Sequence, residues 1–286
     1  MQPLWGLYEK ALPAYLSWEE KFKTAQELGF DYLEMSVDES DEKLARLDMS
    51  LEQRLALKRT MLEMNFNIPS MCLSAHRRFT FGSHDPAIRE QAKQILIKAV
   101  QLAIDLGIRN IQLAGYDVYY EEQDEQTLEN FKQGMLWAAE YAAQRQIMLS
   151  MEIMDTEFMS SISRWLEYDK LVNNPWFAVY PDLGNLSAWG NNVAIELTKG
   201  IGKITAIHLK DTLAVTPTCK GQFRDLPFGA GCVDFVGGFK ILQELQYKGS
   251  LLIEMWATSL EDPVAQIAQA KAWLEQQLSL AIAKEE

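Results

Sequence analysis

The stretch Ile204-Thr-Ala-Ile-His208-Leu-Lys-Asp211-Thr212 decides the fold. An apolar run of strand length ends abruptly in His208, Lys210 and Asp211. It is too short for an ordinary helix, and Gly200 and Gly202 punctuate its start. Buried strands seldom finish in three ionisable groups. They do so in parallel barrels, where the C-terminal strand ends carry the chemistry. Three other strand-like runs end in a carboxylate: Ile147 to Glu152, Phe177 to Asp182 and Leu251 to Glu254.

Outward from these runs, strand-like and helix-like stretches alternate along the whole chain. The remaining strands read as Leu4–Tyr8, Tyr32–Ser36, Ile68–Leu73 and Asn110–Leu113. Helical spacing follows at Trp18–Leu28, Leu51–Asn65, Ile88–Leu106, Gln126–Arg145, Met159–Val172, Ala188–Lys199, Phe235–Leu245 and Pro263–Leu278. Gly29 and Gly107 are placed to stop two of them, and Asp48-Met-Ser50 supplies a start signal. Leu51, Leu55 and Leu62 share one helical face and read as its apolar side. The segment from His208 to about Gly231 reads as a long loop. Eight strand–helix pairs in 286 residues predict an α/β fold, a TIM (β/α)8 barrel, as a single domain over residues 1–286.

Hydrophobic content is 48%, enough for a full core. Lys and Arg total 27 against 40 Asp and Glu, a net charge of −13, which opposes nucleic-acid binding. No run reaches membrane-spanning length, and no charged-then-apolar leader opens the chain. Cys72, Cys219 and Cys232 form no zinc or disulfide pattern, which fits a reducing cytoplasm. A homodimer stays open.

Glu152, Asp182, His208 and Glu254 terminate four consecutive strands. Neighbouring strands lie about 4.8 Å apart, so the four ends can converge on one ion. Three carboxylates and an imidazole suit Mn, Mg or Co, and tolerate Zn. Such an ion polarises a carbonyl and makes a neighbouring carbanion cheaper. Glu152 and Glu254, from different strands, can serve opposite faces of a bound sugar as acid and base. Taken singly, each residue reads as a solvated carboxylate or a satisfied histidine; four together on consecutive strands read as a metal site. Glu34, ending the second strand, reads as a supporting or merely solvated carboxylate.

Several segments carry a family resemblance: Gly6–Pro13, Glu34–Asp38, Pro69–Phe79, Gln112–Tyr120, Tyr180–Trp189 and Leu252–Trp256. They resemble the bacterial L-xylulose-5-phosphate 3-epimerases of L-ascorbate degradation, also labelled hexulose-6-phosphate isomerases. The resemblance implies a xylose-isomerase-like barrel and a carbohydrate-metabolising isomerase. It implies one divalent metal on Glu152, Asp182, His208 and Glu254, with the two Glu working through a cis-enediolate. Relatives acting on free ketoses often carry a His three residues after the metal Asp. Here that position is Asn185, a candidate substrate contact of different chemistry.

A phosphate would need its own donors. Two clusters offer them: Ser74, His76, Arg77 and Arg78 after the third strand, and Lys210, Arg224, Gly229 and Gly231 after the seventh. Barrels often hold phosphate near strands seven and eight, and Arg grips it bidentately. Tyr116, Tyr119 and Tyr120 read equally as sugar wall or core. Competing functions are an aldose–ketose isomerase, a zinc-cluster nuclease and a non-catalytic sugar-phosphate sensor. Only three histidines and the negative charge oppose the nuclease. The pairing of Glu152 with Glu254 opposes the sensor.

Overall fold

Short apolar runs that are buried on both faces can pair only inside a sheet covered by helices. Seven such strands follow one another: β1 (Trp5–Tyr8), β2 (Tyr32–Ser36), β3 (Asn67–Leu73), β4 (Asn110–Leu113), β5 (Met148–Glu152), β6 (Phe177–Tyr180) and β7 (Ala206–Leu209). A two-stranded hairpin, β8 (Leu213–Thr216) and β9 (Cys219–Gln222), precedes the last barrel strand, β10 (Ser250–Ile253). The computed structural model describes residues 3–283. The barrel strands are parallel in the order β6-β5-β4-β3-β2-β1-β10-β7. Bridges Val179–Ile204 and Asp182–His208 join β6 to β7 and close the ring. The predicted eight-stranded barrel is therefore present, and the described residues form one unit.

Around it run α1 (Trp18–Glu27), α2 (Asp41–Leu44), α3 (Leu51–Glu63), α4 (Pro86–Leu106), α5 (Glu125–Ala143), α6 (Ile162–Val172), α7 (Leu183–Ala188), α8 (Val193–Gly200), α9 (Phe235–Glu244) and α10 (Pro263–Ile282). Local chemistry sets their ends. Ser17 and Ser50 each form a reciprocal capping box, with Glu20 and Gln53. Gly107 ends α4 at φ 83°, a left-handed conformation that favours glycine. The core lies between barrel and helices, with Phe22, Phe131, Trp165 and Phe239 fully covered.

Three expectations are corrected. The helix expected at Ala188–Lys199 is two helices. Asp182 caps α7, Gly190 turns the chain at φ 68°, and Asn192 caps α8. Leu51, Leu55 and Leu62 do not face the core; α3 turns them to solvent and buries Leu57 and Met61 instead. The segment after β7 is not an irregular loop throughout, because it contains the β8–β9 hairpin.

Candidate active site

The C-terminal ends of β5, β6, β7 and β10 bring Glu152, Asp182, His208 and Glu254 together. One potential ligand atom from each lies within 4.8 Å of every other, and all four residues are buried. The Asp182–His208 bridge fixes the two middle members, while Glu152 closes β5 and Glu254 follows β10 directly. His208 Nδ1 faces the cluster, 2.9 Å from Glu152 Oε1 and 3.9 Å from Glu254 Oε2.

The arrangement fits a divalent cation on the structure's own evidence. The donors are hard oxygens plus one imidazole. Asp182 Oδ2 is buried and makes no hydrogen bond of acceptable geometry, although Lys210 Nζ stands 2.9 Å from it. That ammonium is close enough to neutralise charge but poorly aligned to satisfy the oxygen's lone pairs, which a cation would take up.

The electrostatics are uneven. Burial raises the Glu152 carboxyl to about 7, with His208 opposing and the Glu254 charge adding to the rise. Burial acts on Glu254 too, but the Lys210 ammonium and His208 outweigh it and hold that carboxyl at about 2. Burial also raises Asp182, against the pull of Lys210. Without a bound cation, the two glutamates are thus pushed in opposite directions, Glu152 up by burial and Glu254 down by the Lys210 ammonium.

A cavity of about 300 Å³ opens over the cluster. Glu152, Glu254 and Lys210 line it together with Tyr8, Ser74, Arg77, Arg224 and Trp256. Arg224 lies over the Trp256 ring at 5.0 Å, and Arg77 over Tyr119 at 4.8 Å. Arg78 instead pairs with Asp41 on the surface. Of the three tyrosines, Tyr116 is buried and hydrogen-bonds Asp155 and Arg77, whereas Tyr119 and Tyr120 reach solvent.

Several residues expected to contact substrate are placed otherwise. His76 is turned into the core: Nε2 bonds the Ala92 carbonyl at 3.1 Å and the ring packs on Phe81. Its cause is local, since the 3-10 turn Ser74–Arg77 points Ser74 and Arg77 to the cavity and His76 toward α4. Asn185 is fully buried and donates Nδ2 to the Ile153 carbonyl at 2.7 Å. It ties β5 to α7 rather than reaching the cavity. Lys210 is not a free phosphate donor, because Asp182 and Glu254 hold its ammonium, each at 2.9 Å. The amides of Gly229 and Gly231 are also spent: both donate to Asp211 Oδ2, at 2.8 and 2.9 Å. That carboxylate fills the turn an anion would have used. Among the expected phosphate contacts, Ser74, Arg77 and Arg224 remain on the cavity wall.

Glu34 is neither solvated nor idle. It is fully buried in the middle of β2, accepting from Ser70 Oγ at 2.7 Å and Tyr180 OH at 3.1 Å, with His208 Nε2 3.0 Å away. Sequence carries a faint signal for it: a lone carboxylate in the otherwise apolar strand Tyr32-Leu-Glu-Met-Ser36.

A closed parallel barrel with its chemistry gathered at the C-terminal mouth is where TIM-barrel enzymes carry their active sites. The family model described as xylose isomerase-like TIM barrel matches residues 22–277, and the chain belongs to that family. Among its relatives, SgbU of Escherichia coli strain K12, provisionally named an L-ribulose-5-phosphate 3-epimerase, is 60% identical over 94% of each chain. The L-ribulose-5-phosphate 3-epimerase UlaE of Escherichia coli O157:H7 is 52% identical, over 96% of this chain and 95% of its own. Among solved structures, D-allulose 3-epimerase from Methylomonas sp. superposes with a TM-score of 0.77 at 20% identity, covering 96% of this chain and 98% of that one. At that identity the likeness speaks for the fold.

Proposed function

We propose that this chain is a metal-dependent 3-epimerase that interconverts L-ribulose 5-phosphate and L-xylulose 5-phosphate. The observation that carries the reading is that Glu152 and Glu254, two carboxylates of one cation-ready cluster, both line the same cavity. The names of the 60% and 52% identical relatives agree with it.

Glu152, Asp182, His208 and Glu254 would hold the divalent ion. When bound, it supplies positive charge beside the ketose oxygens and lowers the cost of a carbanion at C3. The remaining chemistry belongs to the chain. One glutamate takes the C3 proton, leaving a cis-enediolate across C2 and C3, and the other returns a proton to the opposite face. The Lys210 ammonium holds Glu254 ionised. Trp256, Tyr116 and Met154 wall the cavity, and Arg224 and Ser74 are the donors proposed for the phosphate. Three unpaired cysteines fit a cytoplasmic setting. No helix among the described residues is long and apolar enough to cross a membrane.

The test is proton NMR of L-ribulose 5-phosphate incubated with metal-loaded protein in D₂O. Deuterium at C3 with appearance of L-xylulose 5-phosphate is the expected result. Label at C1 instead would establish an aldose–ketose isomerase, and no label with tight binding a sensor.

A further inference from the structure

We propose that Glu34 is a positioning residue that fixes His208 as the Nε2–H tautomer and so presents Nδ1, not Nε2, to the metal. The inference rests on the metal reading above and adds a residue and an atom to it. His208 has no exposed surface, and each ring nitrogen meets a carboxylate, but only the one at Nδ1 belongs to the cation cluster. Nδ1 looks into the cluster, toward Glu152 and Glu254. Nε2, on the opposite side of the ring, meets Glu34 Oε1 at 3.0 Å. A carboxylate accepts and cannot donate, so it selects a proton on the nitrogen that faces it. The opposite nitrogen then offers its lone pair to a cation.

Glu34 can hold that role because its own position is fixed from the other side. Ser70 Oγ and Tyr180 OH both approach Oε2, and the carboxylate is wholly buried among them. The Tyr180 ring also packs against the imidazole edge to face, with centroids 4.6 Å apart, which limits ring rotation. A carboxylate in this place is costly to bury and has no role in closing the barrel, whose ladder hydrogen bonds are made by backbone.

The same geometry makes the isosteric amide a poor substitute. In Glu34→Gln, the Ser70 and Tyr180 hydroxyls would claim the amide oxygen and turn its NH₂ toward His208 Nε2. That nitrogen would then have to accept, the proton would move to Nδ1, and the ligating lone pair would be lost. Partners of this kind typically change metal affinity by 10- to 100-fold.

Two measurements test the inference, with zinc as a diamagnetic probe. The chain has only three histidines, so nitrogen-15 spectra of histidine-labelled protein are readily assigned. In the zinc-loaded wild-type protein, His208 should show a protonated Nε2 and a zinc-shifted Nδ1. Zinc on Nε2 would overturn the proposal without any variant being made. Competition against a fluorescent chelator should show Glu34→Gln binding zinc about 10- to 100-fold more weakly at unchanged melting profile. Tyr180→Phe, which removes one support of Glu34, should lose several-fold in the same direction. Equal zinc affinity in folded Glu34→Gln and wild type would also overturn it. Failure of the parent reading looks different: wild type would then bind no zinc that depends on Asp182 and Glu254.

Discussion

Lys210 Nζ donates to Glu254 Oε2 at 2.9 Å, so a cation of the chain itself sits against a carboxylate assigned to both metal and proton transfer. The ammonium reaches Asp182 as well. Lys210 therefore competes by charge with a divalent ion for the same oxygens while keeping Glu254 ionised. Lys210→Met should tighten the dissociation constant for Mn or Zn, because an opposing positive charge is gone. Turnover should fall about 10- to 100-fold, the loss expected for a hydrogen bond to a charged group of roughly 1.5–3 kcal/mol. Metal titration and kcat measured side by side check this. Weaker metal binding in the variant would show that Lys210 supports the ion instead of opposing it.

Arg224 carries the phosphate prediction, since the glycine amides nearby are committed to Asp211. Arg224→Ala should lower kcat/KM for the 5-phosphate about 10- to 100-fold, again from roughly 1.5–3 kcal/mol. With the unphosphorylated ketose the loss should largely disappear. An equal loss with both sugars would place Arg224 elsewhere in the reaction.

Acid stability should hinge on Glu9. This carboxylate is buried among Lys21, Lys43 and Arg46. Burial would raise it, but Arg46 above all, then Lys21 and Lys43, hold it at about 2. A folded-state value below the unfolded one near 4.5 means the unfolded chain binds more protons between the two. Stability is therefore complete above about 4.5 and is lost as pH falls toward 2, by roughly 3 kcal/mol. His76 acts in the same direction at higher pH, because burial lowers its imidazole to about 4 and unfolding lets it charge. The raised Glu152 carboxyl opposes His76 above about 4.5, so urea unfolding midpoints should decline chiefly below that pH. Glu9→Gln should flatten the part below 4.5 and cost about 3–5 kcal/mol at neutral pH by stranding three cations. An unaltered acid slope in that variant would remove Glu9 from the account.

The fold and the cation-ready cluster were legible because both rest on chain-local signals. Each barrel strand is an apolar run, and Glu152, Asp182, His208 and Glu254 are the charges that end four of them. The supporting contacts were not legible, because they depend on which way a side chain turns after the backbone is set. Arg77 and His76 are neighbours, yet a 3-10 turn sends one to the cavity and the other into the core. Glu34 sits 174 residues from His208 in sequence and meets it only when the ring closes. Gly229 and Gly231 look like an anion turn in any linear reading; the anion proves to be Asp211.

The central claim is that Glu152 and Glu254 divide proton removal and return between two faces of C3. It is tested most directly by isotope exchange in Glu152→Gln and Glu254→Gln, each first shown to carry metal. Both should lose most of their epimerisation. In D₂O, one should still wash the C3 proton out of L-xylulose 5-phosphate and the other out of L-ribulose 5-phosphate, neither completing inversion. Near wild-type epimerisation by either metal-loaded variant would contradict the two-glutamate mechanism.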